Sequence, residues 1–201
     1  MDSLIRHQKY YNKYKAMQII LQPVLFQLGE RFTSTLVKVL SKEFNSDVST
    51  ALLITEIPIQ LFDKKRNQWK SNEILQWILD KHRPNKPTTR TRTKILAICD
   101  FDAYSDGLNF VFGEAYLNGN ISAIYLPRLR QEFYGLKADG CLFYQRIVKE
   151  AVHELGHAFG MTHCGNTRCV MHFSNSLSET DTKESHFCDV CKHIIGNYTS
   201  V

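Results

Sequence analysis

From Gln18 to Val24 the chain reads QIILQPV, a short apolar run that predicts a buried strand. LGERFTSTLVKVLSKEF follows, with Leu28, Phe32, Leu36, Val39, Leu40 and Phe44 near helical spacing and charges between them. VSTALLITEIPI, Val48 to Ile59, is β-branched and apolar and closes around a proline, so it reads as a second strand. Residues 60–70 are charged and predict a loop. Asn72 to His82 carries Ile74, Leu75, Ile78 and Leu79 on one face, an amphipathic helix with Ser71 as its cap. Three further strands are expected at Lys94 to Cys99, Leu108 to Tyr116 and Ile121 to Leu126. Asn118-Gly119 between the last two is a hairpin signal. Gly140 to Met161 is helical in pattern.

Strands therefore alternate with helices, and a hairpin precedes the long helix. The expected fold is α/β (α+β): a mixed, largely parallel sheet flanked by helices. The organisation expected is an N-terminal extension at 1–16, a subdomain at 17–160 that holds the sheet and the long helix, and a small C-terminal subdomain at 161–201. In the extension, Tyr10, Tyr11 and Tyr14 stand among Lys9, Lys13 and Lys15 and read as a solvated segment. KHRPNKPTTRTRTK, residues 81–94, reads as an exposed connection.

Composition narrows the function classes. The 201 residues are 43% hydrophobic and 22% charged, ordinary for a globular protein. A formal charge of +5 is too small to argue for nucleic acid, and none is expected as a partner. No apolar run is long enough to cross a membrane. AMQIILQPVLFQL near the start is broken by Gln18, Gln22, Pro23 and Gln27, and Gly29-Glu30-Arg31 is a poor cleavage site, so it is not read as a signal peptide. A cytoplasmic location and a monomer are expected.

The segment HELGHAFGMTHC, His153 to Cys164, carries the chemistry. His153 and His157 are four apart, which on a helix places both imidazoles on one face, about 6 Å apart. Glu154 lies beside the first ligand, where its carboxylate addresses water at the metal instead of the metal itself. His163 is ten residues beyond His153. A continuous helix would carry it about 15 Å along the axis, out of reach of a zinc with Zn–N bonds of about 2.0 Å. The chain must turn back after His157, and Gly160 can take the positive φ this needs. Three neutral imidazoles leave zinc's fourth position to water, and Glu154 is the expected general base. Five fixed residues in eleven arise by chance with odds below roughly one in a million, which sets aside three unrelated histidines.

Six cysteines are present: Cys99, Cys141, Cys164, Cys169, Cys188 and Cys191. The last four form C-x4-C, a loop of eighteen residues, and C-x-x-C, a pattern suited to a closed, structural four-cysteine zinc site. Disulfides would need an oxidising compartment, for which the sequence has no signal. Cys99 and Cys141 read as single buried thiols. Met171, two residues after Cys169, suits a turn beneath the histidine site.

Together these residues resemble the archaemetzincins of the metzincin clan, from the extended zinc motif through Cys164, Cys169 and Met171 to the Cys188/Cys191 pair. The resemblance implies a catalytic zinc on His153, His157 and His163, Glu154 as acid/base, a second zinc on the four cysteines, and Met171 as the Met-turn residue. It also implies that NFVFGEAY, Asn109 to Tyr116, is the edge strand along which a peptide pairs, with Phe110, Val111, Phe112, Gly113 and Glu114 beside the substrate. One position departs from broader metzincin patterns. Phe173 stands where several families place a tyrosine, so a second oxyanion donor must come from elsewhere, and His172 is the candidate. No pro-segment able to offer a cysteine to zinc is visible, so a chain made in its active form is expected. The function expected is zinc-dependent hydrolysis of a peptide or protein, by an aminopeptidase or an endopeptidase. The alternative is a zinc-containing peptide-binding or interaction protein: a module that only binds peptide would not need Glu154, and an interaction protein built on the four-cysteine site would not need the three histidines.

Overall fold

Four parallel strands and one antiparallel edge strand build the main sheet of this computed structural model, which describes residues 17–83 and 93–199. The expected extension at 1–16 and most of the basic connection, residues 84–92, lie outside the described residues. Strands β1 (Gln18–Val24), β2 (Asp47–Thr50), β5 (Thr93–Cys99) and β8 (Ile121–Tyr125) run parallel, in the order β2-β1-β5-β8. β7 (Gly113–Ala115) pairs antiparallel with β8 and forms the edge. A second sheet joins β3 (Phe62–Asp63), β4 (Gln68–Lys70) and β6 (Ala103–Tyr104).

Alternation along the strands sorts side chains to two faces. Ile19, Leu21, Leu96, Ile98 and Ile124 enter one core with Leu36, Leu40 and Phe44 of helix α1 (Glu30–Phe44) and Ile147, Ala151, Val152 and Leu155 of α3 (Gly140–Ala158). Ile95, Ala97, Cys99, Ile121 and Ala123 enter another with Ile74, Leu75 and Ile78 of α2 (Ser71–Lys81). The molecule is thus a mixed sheet between helical layers, the architecture the periodicity implies. Helices α4 (Leu177–Thr182) and α5 (Asp189–Thr199) follow. Val170, Met171, Phe187 and Ile195 from this last part pack into the same core as α1 and α3.

Several elements differ from the sequence reading. The strand expected over 48–59 stops at Thr50, and beyond it only Ile54 makes a single bridge to Val24. Leu52 is 92% exposed there, so β-propensity found no ladder partner to use. The charged loop at 60–70 contains the β3–β4 hairpin, its turn made by Asn67 at φ 56°. Ser71 does not cap α2: it is the first helical residue, and its hydroxyl is 2.6 Å from the Tyr125 hydroxyl. The strand expected over 108–116 is regular only at Gly113–Ala115, because Val111 N–H donates to the Ala103 carbonyl, outside the β7–β8 ladder. Cys141 is exposed, not buried, because it lies on the first turn of α3.

Candidate active site

Helix α3 places the site. Its first turn is capped by Asp139, whose carboxylate accepts from Leu142 N–H at 2.9 Å. Its later turns are buried almost continuously from Arg146 to Ala158. His153 and His157 sit one turn apart at the buried end, with ring centroids 4.6 Å apart. The helix ends at Ala158, Gly160 takes φ +95°, and the chain doubles back. That reversal sets the His163 ring 5.4 Å from His153 and 4.8 Å from His157. One ligand nitrogen from each of the three lies within 4.8 Å of the others, so the set could hold one metal ion.

Hydrogen bonds fix what two of these imidazoles offer. His153 Nδ1 is 2.7 Å from the Val170 carbonyl and His157 Nδ1 is 2.7 Å from the Met161 carbonyl. Carbonyl oxygen only accepts, so each Nδ1 carries the proton and each Nε2 presents a lone pair. The two Nε2 atoms face each other at 3.1 Å. Two lone pairs converging at that distance call for a cation between them, and tetrahedral zinc with Zn–N bonds of about 2.0–2.1 Å spaces its nitrogens at about 3.3 Å. Burial holds His153 well below the usual imidazole range, with the Lys183 charge second, and burial also lowers His157 and His163. All three are thereby kept neutral, as metal ligands must be.

Met171 is fully buried beneath α3. A Cβ on Gly156 would collide with the Met171 sulfur, so this glycine inside the motif is what lets the turn approach. The far end of the helix is held by the hairpin. Asn118 N–H donates to the His157 carbonyl at 2.9 Å, and Lys94 Nζ donates to the carbonyls of Gly119 and Ala158 at 2.7 and 2.9 Å.

Glu154 is 5% exposed, and burial, followed by the nearby Glu150 charge, pushes its carboxyl well above the usual carboxylate range. One turn earlier, Glu150 forms a buried ion pair with Lys183 at 3.2 Å. Above Glu154 lies the sheet edge: a Cβ on Gly113 would stand 2.5 Å from Glu154 Cγ and 2.6 Å from its Oε1. Tyr125 N–H donates to Phe112 O and Tyr116 N–H to Ile121 O. By ladder alternation the outward groups of β7 are therefore those of Gly113 and Ala115. Phe110, Val111, Phe112, Gly113 and Glu114 all line the cleft that contains the three histidines and Glu154. Among the described residues the two buried side-chain polar atoms without a partner, Glu114 Oε2 and Ser174 Oγ, belong to residues lining this cleft.

Phe173 packs on the His163 ring with centroids 5.0 Å apart. His172 turns away from the cleft: its Nδ1 is 2.9 Å from the Cys164 carbonyl, and it is not part of the lining. The four cysteines meet beside this turn, with one sulfur from each within 4.8 Å of the others. Cys164 and Cys188 sulfurs are 3.9 Å apart, too far for a disulfide at about 2.05 Å. Tetrahedral zinc with Zn–S bonds of about 2.3 Å requires about 3.8 Å. Cys188 precedes α5, and the Cys191 N–H pulls its thiol down to about 7, while burial raises Cys169 and Cys191.

Gly156 and the Glu150–Lys183 pair were not singled out from sequence, Lys94 was read only as the start of a strand, Gly113 only as part of the edge strand and Asn118 only as a hairpin turn. Gly156 carried a local signal, as a helix-breaking residue kept inside a helix.

A helix bearing two histidines and a glutamate, a returning third histidine and a free sheet edge above them define a zinc metallopeptidase. The chain matches peptidase family M54 over residues 11–197, and it belongs to that family, the archaemetzincins. It is 38% identical over 177 residues to an archaemetzincin of Methanocaldococcus jannaschii, covering 87% of this chain and 90% of the relative. With an archaemetzincin of Saccharolobus solfataricus it shares 42% over 139 residues, 69% of this chain and 72% of that one. The fold is similar to the crystal structure of Methanopyrus kandleri archaemetzincin, with TM-score 0.77 and 28% identity over 92% of this chain and 97% of the other. It is also similar to a zinc-dependent peptidase of Methanocorpusculum labreanum, with TM-score 0.76 and 30% identity over 88% and 99%.

Proposed function

We propose that this chain hydrolyses peptide bonds at a zinc ion held by His153, His157 and His163, with Glu154 as general base. The facing Nε2 lone pairs of His153 and His157, 3.1 Å apart, carry the reading. Zinc bound there supplies Lewis acidity, which lowers the pKa of water and polarises a carbonyl. The remaining work belongs to the chain. Glu154 takes a proton from the attacking water and later returns it to the departing amine nitrogen. Its buried position, with a raised pKa, suits a group that must both accept and give a proton near neutral pH. Gly113 and Ala115 hold the substrate as an added antiparallel strand through their outward N–H and carbonyl groups.

A second zinc on Cys164, Cys169, Cys188 and Cys191 is structural, because four thiolates leave no open position. It fastens residues 161–201 as a subdomain and so holds the Met171 turn beneath the helix. Reduced thiols are consistent with work in the cytoplasm, and the chain acts there as a monomer. The cleft accepts a peptide in extended form, as an aminopeptidase or an endopeptidase.

The test is a peptide pool incubated with zinc-loaded protein, with products read by mass spectrometry. Defined cleavage sites should appear, and Glu154→Gln should slow turnover by about 10²–10⁴-fold with its zinc retained. Equal turnover by the zinc-replete variant would sink the mechanism.

A further inference from the structure

A second groove continues from the catalytic cleft. Phe110, Phe112 and Asn175 line both. Beyond them the groove runs between the first half of α3, at Leu142 and Arg146, and the segment Gln131–Leu136, with Leu177 from α4 on its wall. Its outer apolar side chains are open to solvent: Tyr134 is 46% exposed and Leu136 60%. Its charged members are already satisfied, since Arg146 forms a bidentate pair with Asp181 at 2.6 and 2.7 Å and donates to the Leu129 carbonyl. What the groove mainly has left to offer is apolar surface, with the polar side chains of Asn175 and Ser178 on its wall.

Strand polarity says what lies there. A peptide added antiparallel to β7 runs from the Ala115 end toward the Phe110 end, so the residues C-terminal to the scissile bond travel toward Phe112 and Phe110. The helix agrees in direction and gives the span. Arg146 and Leu142 precede Glu154 by eight and twelve residues, or about 12 and 18 Å along α3. An extended peptide covers that distance in roughly three to five residues.

We propose that this groove binds the C-terminal flank of the substrate, taking apolar side chains about three to five residues beyond the cleaved bond. The proposal rests on the peptidase reading and adds a length requirement and a preference to it. The enzyme acts best on peptides that extend well past the scissile bond, and poorly on those that end beside it.

The experiment uses the zinc-loaded full chain. Peptides identical up to and including the first residue after the scissile bond carry flanks of one, two, four or six residues, with leucine or serine at the third to fifth positions. The four- and six-residue leucine flanks should raise kcat/KM at least about tenfold over the two-residue flank, mainly through KM. Leu136→Asp, at an exposed position, should remove that gain and leave the shortest peptide unchanged, and Tyr134→Ala should reduce it. No dependence on flank length, or a gain untouched by Leu136→Asp, overturns the proposal. A change in sedimentation with Leu136→Asp would assign the groove to self-association and also overturn it. If no peptide is cleaved, the peptidase reading fails separately. The groove is then judged by anisotropy of the labelled six-residue leucine flank, which should bind wild type at least about tenfold more tightly than Leu136→Asp; equal binding would reject it.

Discussion

Glu154 concentrates the tension between stability and function in one side chain. Its carboxyl is buried, and burial raises its pKa above the ordinary 4.5. A group with a raised folded pKa favours the folded state below the unfolded pKa, and that contribution is lost as pH rises through the folded pKa. In metal-free protein the ionised carboxylate therefore opposes folding at neutral and alkaline pH. Glu154→Gln should raise the metal-free melting temperature at pH 8 by a few degrees, about 2–4 °C per kcal/mol, with the difference vanishing below pH ~4. A scanning calorimetry series with no gain at pH 8 would show that Glu154 is not held as described. The placement of the histidines, Glu154 and Gly160 was legible because their spacing is itself a statement of geometry. Gly113 was legible only as part of an edge strand. Its need to lack a Cβ comes from Glu154, 41 residues away in sequence, and no local pattern encodes that approach.

Elements show where patterning succeeds and where it over-reads. α1, α3, β1 and β5 match their expected spans closely, since a face buried along its whole length imposes its period on the sequence. Residues 108–116 read as one strand from composition, but Phe110 is apolar because it walls a cleft, and Phe112, beside the regular strand, meets β8 through its carbonyl while its ring packs into the core and lines the same cleft. The same correction changes the most useful test of substrate alignment. Val111 N–H is already donated to Ala103, so a proline there would break an internal bond. Gly113 has no room for a proline ring against Glu154. Ala115→Pro removes an outward N–H at a sheet edge, where proline is tolerated. KM should rise several-fold, as expected for one lost hydrogen bond of about 1 kcal/mol, with the melting temperature nearly unchanged. An unchanged KM would remove Ala115 from the substrate-binding edge.

Across the whole molecule, the three-histidine and four-cysteine clusters meet at one turn. Cys164 follows His163 directly, Cys164 N–H donates to the Met171 carbonyl at 2.9 Å, and Met171 packs under Gly156 between the two motif histidines. Without metal, the three imidazoles, His153 buried, His157 half-buried and His163 exposed, remain neutral groups whose folded pKa values lie below the ordinary 6.5. Between the folded and unfolded values the unfolded chain binds more protons, so stability rises with pH across that window and falls as pH drops below about 6.5. Metal-free protein should thus lose denaturant stability between pH 7 and 5, and His153→Ala should flatten that loss. An equally steep decline in the variant would place its origin in other groups. Zinc counted alongside peptide turnover in the same samples tests the account most directly. Wild type purified under reducing, zinc-replete conditions should carry two zinc ions per chain and cleave peptides. His157→Ala should carry one and cleave none, and Cys188→Ala should carry one, melt lower and retain part of the activity. Turnover surviving in His157→Ala, or a wild-type protein active with no zinc, would contradict it.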